Sequence, residues 1–171
     1  MILGMSTSTF TLVHVLLSLA GIGSGLVVLY GLLNARRFNR WTSVFLLTTV
    51  TTSLTGFLFP IEKLTPGLVI GGLSLVLLAL AILARYQFRF LGAWRRTYVI
   101  SAMIALYFNV FVAVVQSFEK VPALRAAAPT QKELPFSVTQ LVILVAFVWA
   151  TYAADRRFRE APMANVQSRA A

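Results

Sequence analysis

The chain contains no cysteine, a single histidine and a single aspartate. Without thiols it can form no disulfide, no thiolate metal site and no thiol redox couple, and cysteine usage says nothing about its compartment. One histidine, His14, excludes two-histidine haem ligation and the paired histidines of an HExxH zinc site within one chain. Because Asp155 stands alone, a paired-aspartate protease is excluded in the same way. Lys63, Lys120 and Lys132 fall between apolar runs, which leaves no intramembrane lysine for a Schiff base. A His14/Ser24 pair fails on distance, since ten residues at about 1.5 Å each separate the two by roughly 15 Å along a helix. Ser117 and Lys120 have dyad spacing and nothing else in their support. The expectation is therefore no catalytic set, no metal site, no cofactor held by one chain, and a reading that leans away from an enzyme.

Charge is also scarce. Only 12% of the residues are charged and 58% are hydrophobic, whereas a soluble domain has about a quarter of its residues charged. So few charges cannot cover a globule of 171 residues, and the composition points to a membrane protein. The net charge of +10 does not require nucleic acid, because the basic residues sit in short clusters between apolar runs.

Crossing about 30 Å of hydrocarbon takes roughly 20 apolar residues. Five windows free of Asp, Glu, Lys and Arg qualify: 10–33, 42–59, 67–84, 97–118 and 136–154. The second, TSVFLLTTVTTSLTGFLF, is rich in hydroxyls, which insert more easily than charges because they bond back to their own helix. Five spans put NARRFNRW, RYQFRFLGAWRR and the tail DRRFREAPMANVQSRA on one side. That side collects Arg36, Arg37, Arg40, Arg85, Arg89, Arg95, Arg96, Arg156, Arg157, Arg159 and Arg169 against Asp155 and Glu160. The opposite side holds Lys63, Lys120, Arg125 and Lys132 against Glu62, Glu119 and Glu133. The positive-inside rule makes the first side cytoplasmic. Omitting the second span would scatter the arginines over both faces. The fold expected is all-α: an up-down bundle of five transmembrane helices over residues 1–158, N-terminus out and C-terminus in. Residues 159–171 are expected to be a mobile cytoplasmic tail.

Trp41, Trp94 and Trp149 lie near the cytoplasmic span ends with Tyr30, Tyr86, Tyr98 and Tyr152, as an anchoring aromatic belt would place them. MILGMSTSTF has no basic residue ahead of the first apolar run, so that run reads as a retained span rather than a signal peptide. IEKLTPG reads as a tight outer turn. In the longer outer loop, EKVPALRAAAPTQKELPF, the ALRAAA segment can form one or two helical turns. Ser137 and Gln140 have capping-box spacing, which would start the fifth span after Pro135. No internal repeat is visible.

Small residues mark where membrane helices can approach. Ala20/Ser24 and Gly21/Gly25 form such pairs on the first span, and Gly67/Gly71 on the third. On the fourth, Ala102, Ala105, Asn109, Ala113 and Gln116 share one face, so the two amides should point at a neighbouring helix. Thr48, Thr52 and Thr55 make a stripe on the second span, either bonded to their own carbonyls or lining a wet path. His14, Thr55, Gln116 and Gln140 all lie near the outer ends of their spans. They suggest a polar layer, with Asn109 deeper, that either fixes helix register or binds a solute. A structural layer would bond His14 to Gln116 or Gln140.

The function expected is a non-enzymatic accessory or scaffold subunit, or a homo-oligomer, working through lateral helix contacts. A small-solute or ion transporter using the polar layer is the second reading. A membrane enzyme acting on lipid from the outer side, with His14 and Glu62, Glu119 or Glu133, is the third. Expected partners are a membrane protein or a second copy, and anionic lipid at the cytoplasmic face through Arg85, Arg89, Trp94, Arg95 and Arg96; nucleic acid is not expected. The preference for Arg over Lys and the many alanines suggest a bacterial inner membrane.

Overall fold

The computed structural model describes residues 2–60 and 66–160, without the side chains of Pro66, Arg159 and Glu160. It is all-helical, with no strand among the described residues, and four helices are long and apolar enough to cross a membrane. The order is α1 (Thr7–Leu33), α2 (Asn39–Gly56), α3 (Pro66–Ile82), α4 (Trp94–Lys120), a short α5 (Pro122–Ala127) and α6 (Leu134–Glu160). A π turn, Leu83–Gln87, extends α3. Glu62, Lys63 and the rest of the IEKLT turn, and the tail from residue 161 onward with Arg169, lie outside the described residues.

Several boundaries differ from those expected, each for a local reason. α1 starts at Thr7 because the Ser6 hydroxyl accepts the Thr9 amide at 3.2 Å, a side-chain N-cap. α2 lies three residues earlier than its window at both ends and stops after Gly56. α6 begins at Leu134, so Ser137 is inside the helix with its amide on the Glu133 carbonyl, and no Ser137/Gln140 capping box forms. Gln140 turns instead to α4. α6 also runs past Ala154 into the segment read as a tail, since Phe158 is buried and holds that turn against the bundle. ALRAAA does fold, as α5.

α2 is not one of the four apolar helices. Its hydroxyls lower its hydropathy, yet several are satisfied within the helix: Thr48 donates to the Val44 carbonyl at 2.7 Å, Thr51 to Leu47 at 2.9 Å and Thr55 to Thr51 at 2.7 Å. Such back-bonds remove the donors that an apolar environment would leave unpaired.

α4 is the central helix, packed on α1, α3 and α6, while α2 packs on α1 and α3. The core is built around Phe45, Leu78, Tyr98, Met103 and Leu106. Gly25 makes this packing possible. A Cβ there would collide with Leu106 and come within 2.9 Å of Phe45. Gly21 lies against Thr48, Thr49 and Asn109, and Gly71 against Phe57, whereas Gly67 is exposed.

Candidate functional site

Away from the arginine-rich segments, polar side chains of the described residues bridge the helices at three places. Between α1 and α2, His14 Nδ1 lies 2.9 Å from the Thr55 hydroxyl. Thr55 has one proton and directs it to the Thr51 carbonyl, so the imidazole Nδ1–H donates and Nε2 is left as the acceptor. Phe59 meets the His14 ring edge-on at 5.3 Å, and Phe10 packs on Phe59 at 5.0 Å. Between α2 and α4, the Asn109 amide donates to the Thr49 hydroxyl at 3.3 Å, directly beneath Gly21. Between α6 and α4, the Gln140 amide donates to the Phe111 carbonyl at 3.3 Å.

The expected partners of His14 are therefore replaced. Gln116 reaches Glu119 at 3.5 Å, and Gln140 reaches backbone. Glu133 is engaged in its own loop, accepting from the Thr130 hydroxyl at 2.8 Å and the Lys132 amide at 3.0 Å. Among the described residues no group of three His, Asp or Glu could hold a metal ion. Two buried atoms lack a partner in this region, the Thr52 hydroxyl and Gln140 Oε1. Thr52 stands on α2 between Thr49 and Thr55, so the three hydroxyls form a file from Asn109 to His14.

At the opposite end the three arginine-rich segments come together. Arg85 donates to the Asn39 side chain at 2.9 Å and lies over Tyr86 and Phe90. Arg37 sits 5.0 Å from the Phe90 ring and 5.4 Å from that of Phe158. Arg157 donates to the Leu33 carbonyl at 3.0 Å. The turn before α4 puts Arg89, Phe90 and Gly92 at positive φ, strained for the first two. It is held by Phe90, whose ring packs on Tyr98 and Phe158. Trp94 stacks on Phe88 at 3.8 Å, and Arg89 is exposed beside them. A cavity of about 10 Å³, space for about one water, is lined by Arg36, Arg37, Arg85, Thr42 and Tyr98.

Sequence reasoning missed two features here. Arg37, Phe90 and Phe158 make one cation–aromatic cluster from three distant segments, with no local pattern to announce it. Arg96 and Asp155 form an ion pair at 3.7 Å across α4 and α6. Asp155, as the lone aspartate among arginines, was the signal that could have found the second. No family model, curated protein or solved structure matches the chain.

Proposed function

We propose that the protein is a multi-pass, non-enzymatic subunit of a bacterial inner membrane that works through lateral helix contacts, with a partner or with a second copy. In this reading α2 is a fifth crossing, the amino terminus faces outward, and the arginine-rich end is cytoplasmic. Residues 1–158 form a single membrane domain. The 18 residues of α2 give about 27 Å at roughly 1.5 Å each, close to the hydrocarbon thickness of about 30 Å.

The observation that carries the lateral-contact reading is α6. Only 6% of its most apolar stretch is buried, against 39% for α4. Yet α6 is fixed at both ends, by Gln140 on Phe111 and by Asp155 on Arg96. It presents Val138, Val142, Val145, Trp149 and Tyr152 outward, alternating in steps of four and three. That is the spacing of a helix–helix seam, and the exposed Ala146 beside it permits close approach.

With no native cysteine, single cysteines at Val142 and Val145 can be oxidised against a clean background. They should form a disulfide with a second copy, or else a partner should co-purify stoichiometrically in mild detergent, and a cysteine at Leu16 on α1 should not cross-link. A monomer with no partner and no cross-link would refute the reading. For the topology, a cysteine at Gln131 should react with an impermeant thiol reagent in intact cells while one at Asn39 stays protected; the reverse pattern would overturn it.

A second reading, a small-solute or proton pathway, is supported by the unpartnered Thr52 hydroxyl in the file from His14 to Asn109. Under it, His14→Gln and His14→Leu both abolish transport without loss of stability. If the layer is structural, His14→Gln is tolerated and only His14→Leu lowers thermal stability.

A further inference from the structure

A groove of about 330 Å³ runs between α4 and α6, within the ~300–1,000 Å³ typical of ligand sites. Its walls are apolar, with Met103, Ile104 and Tyr107 on one side and Leu144 and Phe147 on the other. One end carries Arg96 and Asp155. From Arg96 to Tyr107 is eleven residues, about 16 Å at roughly 1.5 Å per residue. Leu144 to Asp155 gives the same length on the facing helix. That is half of the hydrocarbon thickness of about 30 Å, so the groove is as long as one leaflet.

The charged end is asymmetric. Asp155 is nearly buried, and it meets Arg96 through Nε at 3.7 Å while the Arg96 side chain stays 65% exposed. The Arg96 guanidinium also carries two terminal nitrogens, and most of the side chain that bears them is exposed. A guanidinium held by its Nε edge presents those nitrogens as a fork suited to a phosphate. Tyr152 lines the same end, and the Arg156 guanidinium rests 4.9 Å from its ring, adding a second positive charge at the mouth.

We infer that the groove binds one anionic phospholipid of the cytoplasmic leaflet, its phosphate on Arg96 and one acyl chain between Ile104 and Phe147. Asp155 is a positioning residue that orients Arg96. The inference rests on the chain spanning the membrane with its arginine-rich end among the headgroups; Tyr152 is common to the groove and to the outward seam of α6.

The test uses the full chain reconstituted in nanodiscs of phosphatidylcholine with a minority of phosphatidylglycerol, then extracted in mild detergent for native mass spectrometry. One phosphatidylglycerol per chain should be retained. Arg96→Gln should lower its occupancy at least fivefold, and Ile104→Trp, which fills the groove and leaves the ion pair intact, should do the same. Arg40→Gln, at the same end but outside the groove, should change it less than twofold. Equal retention of phosphatidylcholine, loss of lipid with Arg40→Gln as large as with Arg96→Gln, or a lipid-free dimer would each overturn the proposal. Failure of the wild type to enter nanodiscs would instead defeat the membrane reading beneath it.

Discussion

The two ends of the bundle are built differently. At the arginine-rich end, α4 buries Tyr98, Val99, Ala102, Met103, Ala105 and Leu106, and Leu78, Ala81, Ala84, Ala154 and Phe158 close around them. Guanidinium groups from three segments rest on aromatic rings and carbonyls there. At the other end every α4 residue from Tyr107 to Ser117 is only half-buried, and the helices are tied by single hydrogen bonds. Packing of large side chains is cooperative, whereas a membrane hydrogen bond is worth on average only about 0.6 kcal/mol. Stability should therefore be concentrated toward the arginine-rich end, leaving the His14 end free to vary.

The largest expected effect tests that contrast directly. Phe45 is fully buried, and Phe45→Ala should lower stability by about 3 kcal/mol, measured by thermal or denaturant unfolding in detergent. Phe59→Ala, at the other end, should lower it by less than half as much. Equal losses would mean that the two ends are equally load-sharing. The next effect is at the α1 seam. Gly25→Ala forces a Cβ against Leu106 and Phe45 and should cost about 1–3 kcal/mol. Gly23→Ala meets nothing within 4 Å, so it should be neutral or slightly stabilising, as expected for removing a helical glycine.

These contrasts also show what the sequence made legible. Charge placement brought NARRFNRW, RYQFRFLGAWRR and the DRRF segment to one side, and the structure does gather them. Helical spacing aimed Asn109 at a neighbour and Gly21 and Gly25 at a seam; in the structure Asn109 donates to Thr49 and the two glycines lie against side chains of α2 and α4. The partners themselves were not legible. Span ends give depth only to within a turn, and they give no rotation of one helix about another. His14 was thus paired with Gln116 or Gln140 when Thr55 on the adjacent α2 is the group it meets. Gly67 shares the spacing of Gly71 yet is exposed, because spacing alone does not say where two helices diverge. Arg96 was read with the other arginines as a headgroup contact, and Asp155 as part of the cytoplasmic segment. Their pairing depends on α6 continuing past Ala154.

Smaller effects sharpen the picture of the polar bridges. Asn109→Ala removes the bond to Thr49 and should cost about 0.6 kcal/mol, a shift at the edge of detection in thermal unfolding. Thr49→Val should cost a similar amount, and the double variant should show less than the sum, because both lose the same bond. Additive losses would mean that the 3.3 Å contact contributes nothing of its own.

The smallest expected effect lies in the loop before α6. There the Glu133 carboxylate collects the Thr130 hydroxyl and the amides of Thr130 and Lys132. Partial desolvation pushes the Glu133 carboxyl upward, but these hydrogen bonds outweigh it and hold the group below its ordinary value of 4.5. The folded loop therefore binds the Glu133 proton less tightly than the unfolded chain does. Its contribution is complete above that ordinary value and disappears as the pH falls through the lower folded one. The amide resonances of Thr130 and Lys132 should accordingly titrate together with a midpoint below 4.5, and Glu133→Gln should abolish the titration. Global stability should barely follow, because this loop belongs to the end of the bundle that packing holds least. A midpoint above the ordinary value would show that desolvation prevails over the three donors.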